Sequence, residues 1–238
     1  MGKNIISQAR GKGSPTYKAP SFRYKGEAKH NSRSEETAQG IIVDLIKCQG
    51  HSAPLAAVEY ETGELSLMIA PEGIKVGDIV CSGKEADVKF GNILPLEKIP
   101  EGTMIYNIES TPGDGGKFVR SSGTFAKLVS KIGTNVVVQL PSKKKKTFSS
   151  ACRASIGVVA SGGRPEKPLL KAGNAFFKMK ARNKLWPKVS ASAMNAVDHP
   201  FGNKRTSRKS KARPISGNAP PGRKVGMVAA KRTGRKKK

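Results

Sequence analysis

The feature that most constrains this chain is the way its charge is partitioned. Residues 164–238 hold 22 Lys and Arg against two acidic residues, Glu166 and Asp198, and carry +20 of a formal +27. Residues 1–37 hold eight basic and three acidic residues, net +5. Residues 38–163 hold 14 basic and 12 acidic residues, net +2. Like charges at that density do not pack into a core, because each would lose its hydration without gaining a counter-charge. A packed domain is therefore expected only in the nearly neutral middle, where the apolar residues are also concentrated. The flanks read as arms that order against a polyanion. Neutralised phosphates release condensed counterions, which makes nucleic acid the favoured partner.

Other function classes lack their signatures. Cys48, Cys81 and Cys152 are odd in number and far apart, with no C-x-x-C. They form neither a disulfide framework nor a zinc motif, and read as small apolar residues in a reducing compartment. No run approaches the roughly 20 apolar residues of a membrane span. The start, MGKNIISQARGKG, lacks the apolar stretch of a signal peptide. The expectation is a cytoplasmic chain with no membrane partner, no metal and no cofactor.

Residues 2–33 show neither helical nor strand periodicity and read as an irregular arm. Arg10 and Lys12 lead into Tyr17-Lys18 and Phe22-Arg23-Tyr24-Lys25, an interleaving suited to phosphate pairing plus stacking on unpaired bases. Short apolar runs then predict strands at 40–46, 54–60, 65–70 and 76–82. Their Gly/Pro punctuation suggests a small closed or half-closed barrel. A second set, at 92–96, 103–108, 124–131, 135–140, 146–149 and 156–160, predicts a second small barrel. Inside it, residues 111–123 hold four glycines and a proline. Such a loop can approach a surface closely and offer Lys117 and Arg120 to phosphates. It lacks the spacing of a nucleotide-binding loop, so an RNA backbone is the better fit. Four lysines at 143–146 are read as further phosphate contacts. In the tail, a helix is expected over 172–185, ended by Trp186-Pro187. Phe176 and Phe177 would anchor it onto a barrel while Lys178, Lys180, Arg182 and Lys184 face outward. Residues 204–238 read as a basic arm that orders in a groove.

Several strings here resemble a known family. They are GKGSPTYKAPSFRYKG in the first arm, TPGDGGKFVRSSGTFAKLVS in the loop, and GRPEKPLLKAG, NKLWPKV and AMNAVDHPFG in the tail. The chain resembles the universal large-subunit ribosomal protein of the L-two family, in its archaeal/eukaryotic form, almost end to end. The resemblance implies an all-β fold, an OB-like barrel followed by an SH3-like barrel, with long irregular basic extensions. It places the segments at 1–37 (basic extension), 38–85 (OB-like), 86–163 (SH3-like) and 164–238 (rRNA-binding extension). It implies a structural constituent of the large ribosomal subunit, bound to large-subunit rRNA and neighbouring ribosomal proteins and bridging to the small subunit. Subunit association, tRNA placement and assembly of the peptidyl transferase centre would be its roles. The family's histidine near that centre maps onto His199. Lys117, Arg120 and Arg164 map onto RNA contacts. With the charge reading, the expected RNA-binding set also takes in Lys167, Lys171, Lys188, Asn195, Asp198, Lys204, Arg205, Arg208 and Arg213. The chain departs from the family at Val189-Ser190-Ala191, where Val-Arg-Gly is common, and at Asn203-Lys204-Arg205, where glycines often follow.

Asp198-His199 invites a catalytic reading, since a histidine near its ordinary pKa can act as a general base. Adjacent side chains do not naturally face one another, however, and no nucleophile stands at a fitting spacing. His199 is therefore expected to position RNA, and no catalytic residue is expected. The rival reading, a basic DNA-compacting protein, accounts for the charge but not for two barrels and a Gly-rich loop.

Overall fold

The structure, a computed structural model, describes residues 2–31, 37–203 and 214–232. The chain divides into two compact units, Ser21–Pro168 and Met1–Pro20 with Leu169–Lys238. The first unit contains ten strands, nine where the sequence predicts a strand and the tenth displaced: β1 (Ala38–Ile46), β2 (Leu55–Tyr60), β3 (Leu65–Ile69), β4 (Ile79–Ser82), β5 (Ile93–Pro95), β6 (Met104–Tyr106), β7 (Ala126–Ile132), β8 (Asn135–Gln139), β9 (Lys145–Ser149) and β10 (Arg153–Ile156). They form one hydrogen-bonded series in the order β3-β2-β1-β4-β5-β10-β6-β7-β8-β9. Neighbours are antiparallel, apart from a single parallel pairing of β4 with β5 at Ser82 and Ile93.

That series wraps two separate cores, an OB-like barrel followed by an SH3-like barrel. The first core gathers Ile42, Ala56, Val58, Tyr60, Met68 and Val80. The second gathers Leu94, Leu96, Ile99, Ile105, Leu128, Val136, Val138 and Ile156. In β1 Ala38, Gly40 and Ile42 are buried while Gln39, Ile41 and Val43 face solvent, the period-2 pattern of a one-sided strand. A bulge between Ile42 and Asp44 shifts the register against β2 and sharpens the local twist that closure needs. A third cluster, of Ala28, Cys48, Ala53, Leu55, Ile69, Tyr106 and Val159, joins both strand sets to the first arm.

Most strand ends lie within one or two residues of expectation, and two strands depart further. The strand expected from residue 76 begins at Ile79, because Gly77 turns the chain at φ +90° and donates its N–H to the Ile42 carbonyl. The strand expected at 156–160 lies at Arg153–Ile156. Its polar residues Arg153 and Ser155 are buried, so the core face does not read as apolar in sequence.

In the other unit, α1 (Ile6–Gly11) is capped by the Gln8 side chain, which accepts the Ile5 N–H. The expected tail helix is present but shorter, α2 (Ala172–Lys180). Beyond it the chain turns through Ala181, Arg182 and Asn183, and Asn183 has φ +47°. Phe176 and Phe177 remain 44% and 67% exposed. Neither is the buried anchor that was expected, and they meet each other edge-to-face at 5.5 Å. Asn183 Nδ2 donates to the carbonyls of Pro15 and Lys18, tying the first residues to the tail. A two-residue parallel pair, β11 (Pro214–Ile215) with β12 (Met227–Val228), completes this unit.

Candidate nucleic-acid interface

The Gly-rich loop is built around a buried carboxylate. Glu109 is fully buried. It receives the Arg153 guanidinium at 3.0 and 3.1 Å, the Arg153 backbone N–H at 2.8 Å and the loop N–H of Gly113 at 3.1 Å. A charge taken out of water is tolerated when paired and hydrogen-bonded in this way. Arg153 also reaches the Asn31 carbonyl at 3.1 Å, and Asn31 Oδ1 accepts the Ser82 hydroxyl at 2.7 Å. His30 donates through Nε2 to the Asn107 carbonyl at 2.7 Å. Burial, reinforced by the Arg153 charge, holds its pKa down to about 4. The last residues of the first arm are thus part of the barrels' interior. Sequence reasoning missed Glu109, Arg153, His30 and Asn31. The available signal was a single arginine, Arg153, among small residues just before an expected strand, and a single carboxylate, Glu109, just after another.

A second carboxylate shapes the loop's outer turn. Asp114 accepts the N–H groups of Ser110, Thr111 and Gly116. Burial opposes its ionisation, but these donors and Lys117 outweigh it and hold the pKa below the usual carboxylate value. Gly116 is required there. Its φ is +96°, and a Cβ would sit 2.5 Å from Asn107 Oδ1. The result is to present Lys117, exposed and 3.5 Å from Asp114. Arg120 is turned inward instead. It donates to the carbonyls of Gly116 (2.9 Å) and Ala28 (2.7 Å), so two of its N–H groups brace the loop and the rest are available. Arg164 is exposed, with Nε held by the Ser122 hydroxyl at 2.7 Å. In the lysine run, Lys146 lies 3.9 Å over the Phe118 ring, a cation–π contact. On the first-arm side, Arg23 stacks over Phe22 and Lys25 is exposed.

In the second unit Arg10, Lys12, Lys18, Lys171, Lys178, Lys180, Lys188 and Asn195 stand exposed, as does Lys167 at the end of the barrel unit. Arg182 is half-buried. Lys204, Arg205, Arg208 and Arg213 lie outside the described residues. The tip around His199 is a tight backbone fold. Asp198 and His199 donate their N–H groups to the Asn195 carbonyl, Gly202 to the His199 carbonyl and Asn203 to the Met194 carbonyl. Any side chain at Gly202 would overlap the Asn195 carbonyl. The Phe201 N–H donates to His199 Nδ1 at 3.0 Å. Nδ1 is therefore the acceptor, the proton sits on Nε2, and the ring offers one donor outward. Asp198 turns to Lys3 at 3.6 Å rather than to the imidazole. An open groove of about 400 Å³ beside the ring is lined by Lys3, Asn4, Gln8, Val197 and Arg223.

Comparison with known proteins accounts for both halves. Residues 5–82 match the model of Ribosomal Proteins L2, RNA binding N-terminal domain, and residues 89–219 match the model of Ribosomal Proteins L2, C-terminal domain. The chain belongs to the ribosomal protein L2 family. Among similar proteins is the large ribosomal subunit protein uL2 of Haloquadratum walsbyi, 52% identical over 99% of this chain and 97% of that protein. Another is the uL2 of Methanocaldococcus jannaschii, 51% identical over all of both chains. The uL2 of Methanococcoides burtonii is 52% identical over 99% of this chain and all of its own. This is a family of structural constituents of the ribosome. It gives the DNA-compacting reading no support.

Proposed function

We propose that this chain is a structural constituent of the large ribosomal subunit, working in the cytoplasmic ribosome and gripping large-subunit rRNA with its exposed cations. The observation that carries this is the combination of an end-to-end match to ribosomal L2 proteins with basic arms whose described lysines stand in solvent. The segments fall at 1–37, 38–85, 86–163 and 164–238. Lys117, Arg164 and the arm residues Arg10, Lys12, Lys18, Arg23 and Lys25 meet phosphates, while Arg120 braces the loop that presents Lys117. Neighbouring ribosomal proteins pack beside it, and it contributes to a bridge with the small subunit, to tRNA placement and to assembly of the peptidyl transferase centre.

The tip supports RNA positioning rather than catalysis by the protein. His199 has one ring nitrogen committed to its own backbone, Asp198 faces Lys3, and the remaining Nε2–H is a fixed donor suited to a phosphate or base oxygen. The chain acts without turnover of its own. Sedimentation tests the whole reading. The chain should travel with large subunits and be released by high salt together with rRNA contacts. Recovery with nucleoid, or turnover of any substrate without RNA, would overturn it.

A further inference from the structure

One segment of this chain runs against its charge. Residues 38–85 carry seven acidic and three basic residues, net −4, in a protein of +27. The pairing register collects part of that charge on one surface. Leu65 pairs with Glu59, Glu59 with Ile41, and Ile41 with Ile79. Directly paired antiparallel residues point to the same side of a sheet. The four therefore form a row across β3, β2, β1 and β4. It is the outer side, since the neighbouring positions Val58, Ile42 and Val80 fill the core. Leu65, Ile41 and Ile79 are 66%, 54% and 62% exposed, and Val43 extends the row along β1.

Single exposed aliphatics are ordinary, but a contiguous row across four strands on the outside of a barrel marks an interaction surface. RNA does not fit it. The row has no aromatic side chain on which a base could stack, and Glu59, Glu61 and Asp44 would repel phosphates. Among the described residues, none of these three carboxylates is in an ion pair. Strand addition does not fit either, because the edge of β3 is covered: the Lys29 N–H donates to Leu67 and the Ser66 hydroxyl to Lys29. What remains is a partner that lies flat on the face, apolar in the middle and cationic at the rim.

We propose that the outer face of the first barrel docks a Lys/Arg-rich segment of a neighbouring large-subunit protein. Aliphatic side chains of that segment cover Ile41, Ile79 and Leu65, and its cations pair with Glu59, Glu61 and Asp44. This assignment rests on the ribosomal reading above and adds the surface and the chemistry of its occupant. Within one protein, the acidic barrel face then selects basic protein while the arms select RNA.

The test is a photo-crosslinker, p-benzoylphenylalanine, placed at Ile79 of the full chain and assembled into large subunits, with a second probe at Val43 should the first fail to assemble. Irradiation should yield a protein–protein adduct whose partner peptide is rich in Lys and Arg. The paired change Glu59→Lys with Glu61→Lys should lower its yield about tenfold. An adduct to rRNA, to a second copy of this chain or to a peptide without basic residues would overturn the proposal. So would the absence of any adduct in assembled subunits, or a yield indifferent to the charge reversal. Failure of the unsubstituted chain to enter large subunits is scored separately by sedimentation, and counts against the ribosomal reading itself.

Discussion

Arg153 and Lys178 show how differently the two units handle positive charge. Arg153 is buried, its guanidinium shared between the Glu109 carboxylate and the Asn31 carbonyl. Lys178 stands in solvent on a helix whose first turn has no acidic residue. In the barrel unit a charge is a structural element, held because removing it would strand its partner. In the arm unit the described cations lie in solvent for the most part, and a pair such as Lys3 with Asp198 is itself exposed. The difference teaches that net charge by itself does not give a residue's role: a buried, paired cation holds the fold, while an exposed one stays in water.

The largest expected effect breaks the arms and spares the barrels. Deleting residues 204–238 removes 14 Lys and Arg and no acidic residue. Affinity for rRNA should fall at least about a thousandfold near physiological salt, with a shallower dependence of log affinity on log salt. The denaturant midpoint of the barrels should not move. Unfolding of the truncated chain would show the tail to be core after all.

The converse change breaks the barrels. Arg153→Met leaves Glu109 buried without its cation and should cost about 3–5 kcal/mol in equilibrium unfolding. Changing both partners, with Glu109→Gln added, should recover part of that loss, because no lone charge is then left inside.

Acid should act on the same interior. The folded pKa of His30, about 4, lies below the ordinary 6.5, so folding favours the neutral ring. Its contribution is complete above about pH 6.5 and is lost as pH falls from there towards 4, on the order of 3 kcal/mol. His30→Gln should flatten the unfolding free energy across that window. An unchanged pH profile would mean that folding does not shift the His30 pKa.

At the tip the expectation is finer. His199→Gln keeps a donor and should retain more peptide-bond formation in reconstituted subunits than His199→Ala, by roughly tenfold if one hydrogen bond is at stake. Equal and complete loss in both would point to proton transfer. The smallest effect is expected from Lys146→Ala, which removes an exposed cation–π contact and should shift stability by about 0.5–1 kcal/mol.

How much of this was legible beforehand varied with how a residue is paired. Nine of the ten strands of the barrels were readable, because β1 to β9 alternate or run apolar against Gly/Pro turns. β10 was misplaced, since a buried Arg153 looks like a surface residue until Glu109 is seen beneath it. The helix was readable from residue 172, but its end was not. Phe176 and Phe177 suggested an anchor because aromatic residues usually bury, and in a unit with so little apolar surface they do not. Among the expected contacts, the exposed lysines needed only a count of charge. Arg120 needed coordinates, because nothing in its neighbours reveals that its guanidinium reaches back to Ala28.

The sequence by itself determined the division into a neutral core-former and two cationic arms, since hydration energy and hydrophobic burial sort residues by type before any contact forms. It also determined the family, through strings long enough to be specific. Only the tertiary structure decided that the first arm ends inside the barrels at His30 and Asn31, and that His199 offers Nε2 rather than Nδ1. It alone decided that Glu59 joins Ile41, Ile79 and Leu65 in one outer row. Each of these depends on strand register or on partners far away in the chain, and such pairings are set by packing in three dimensions.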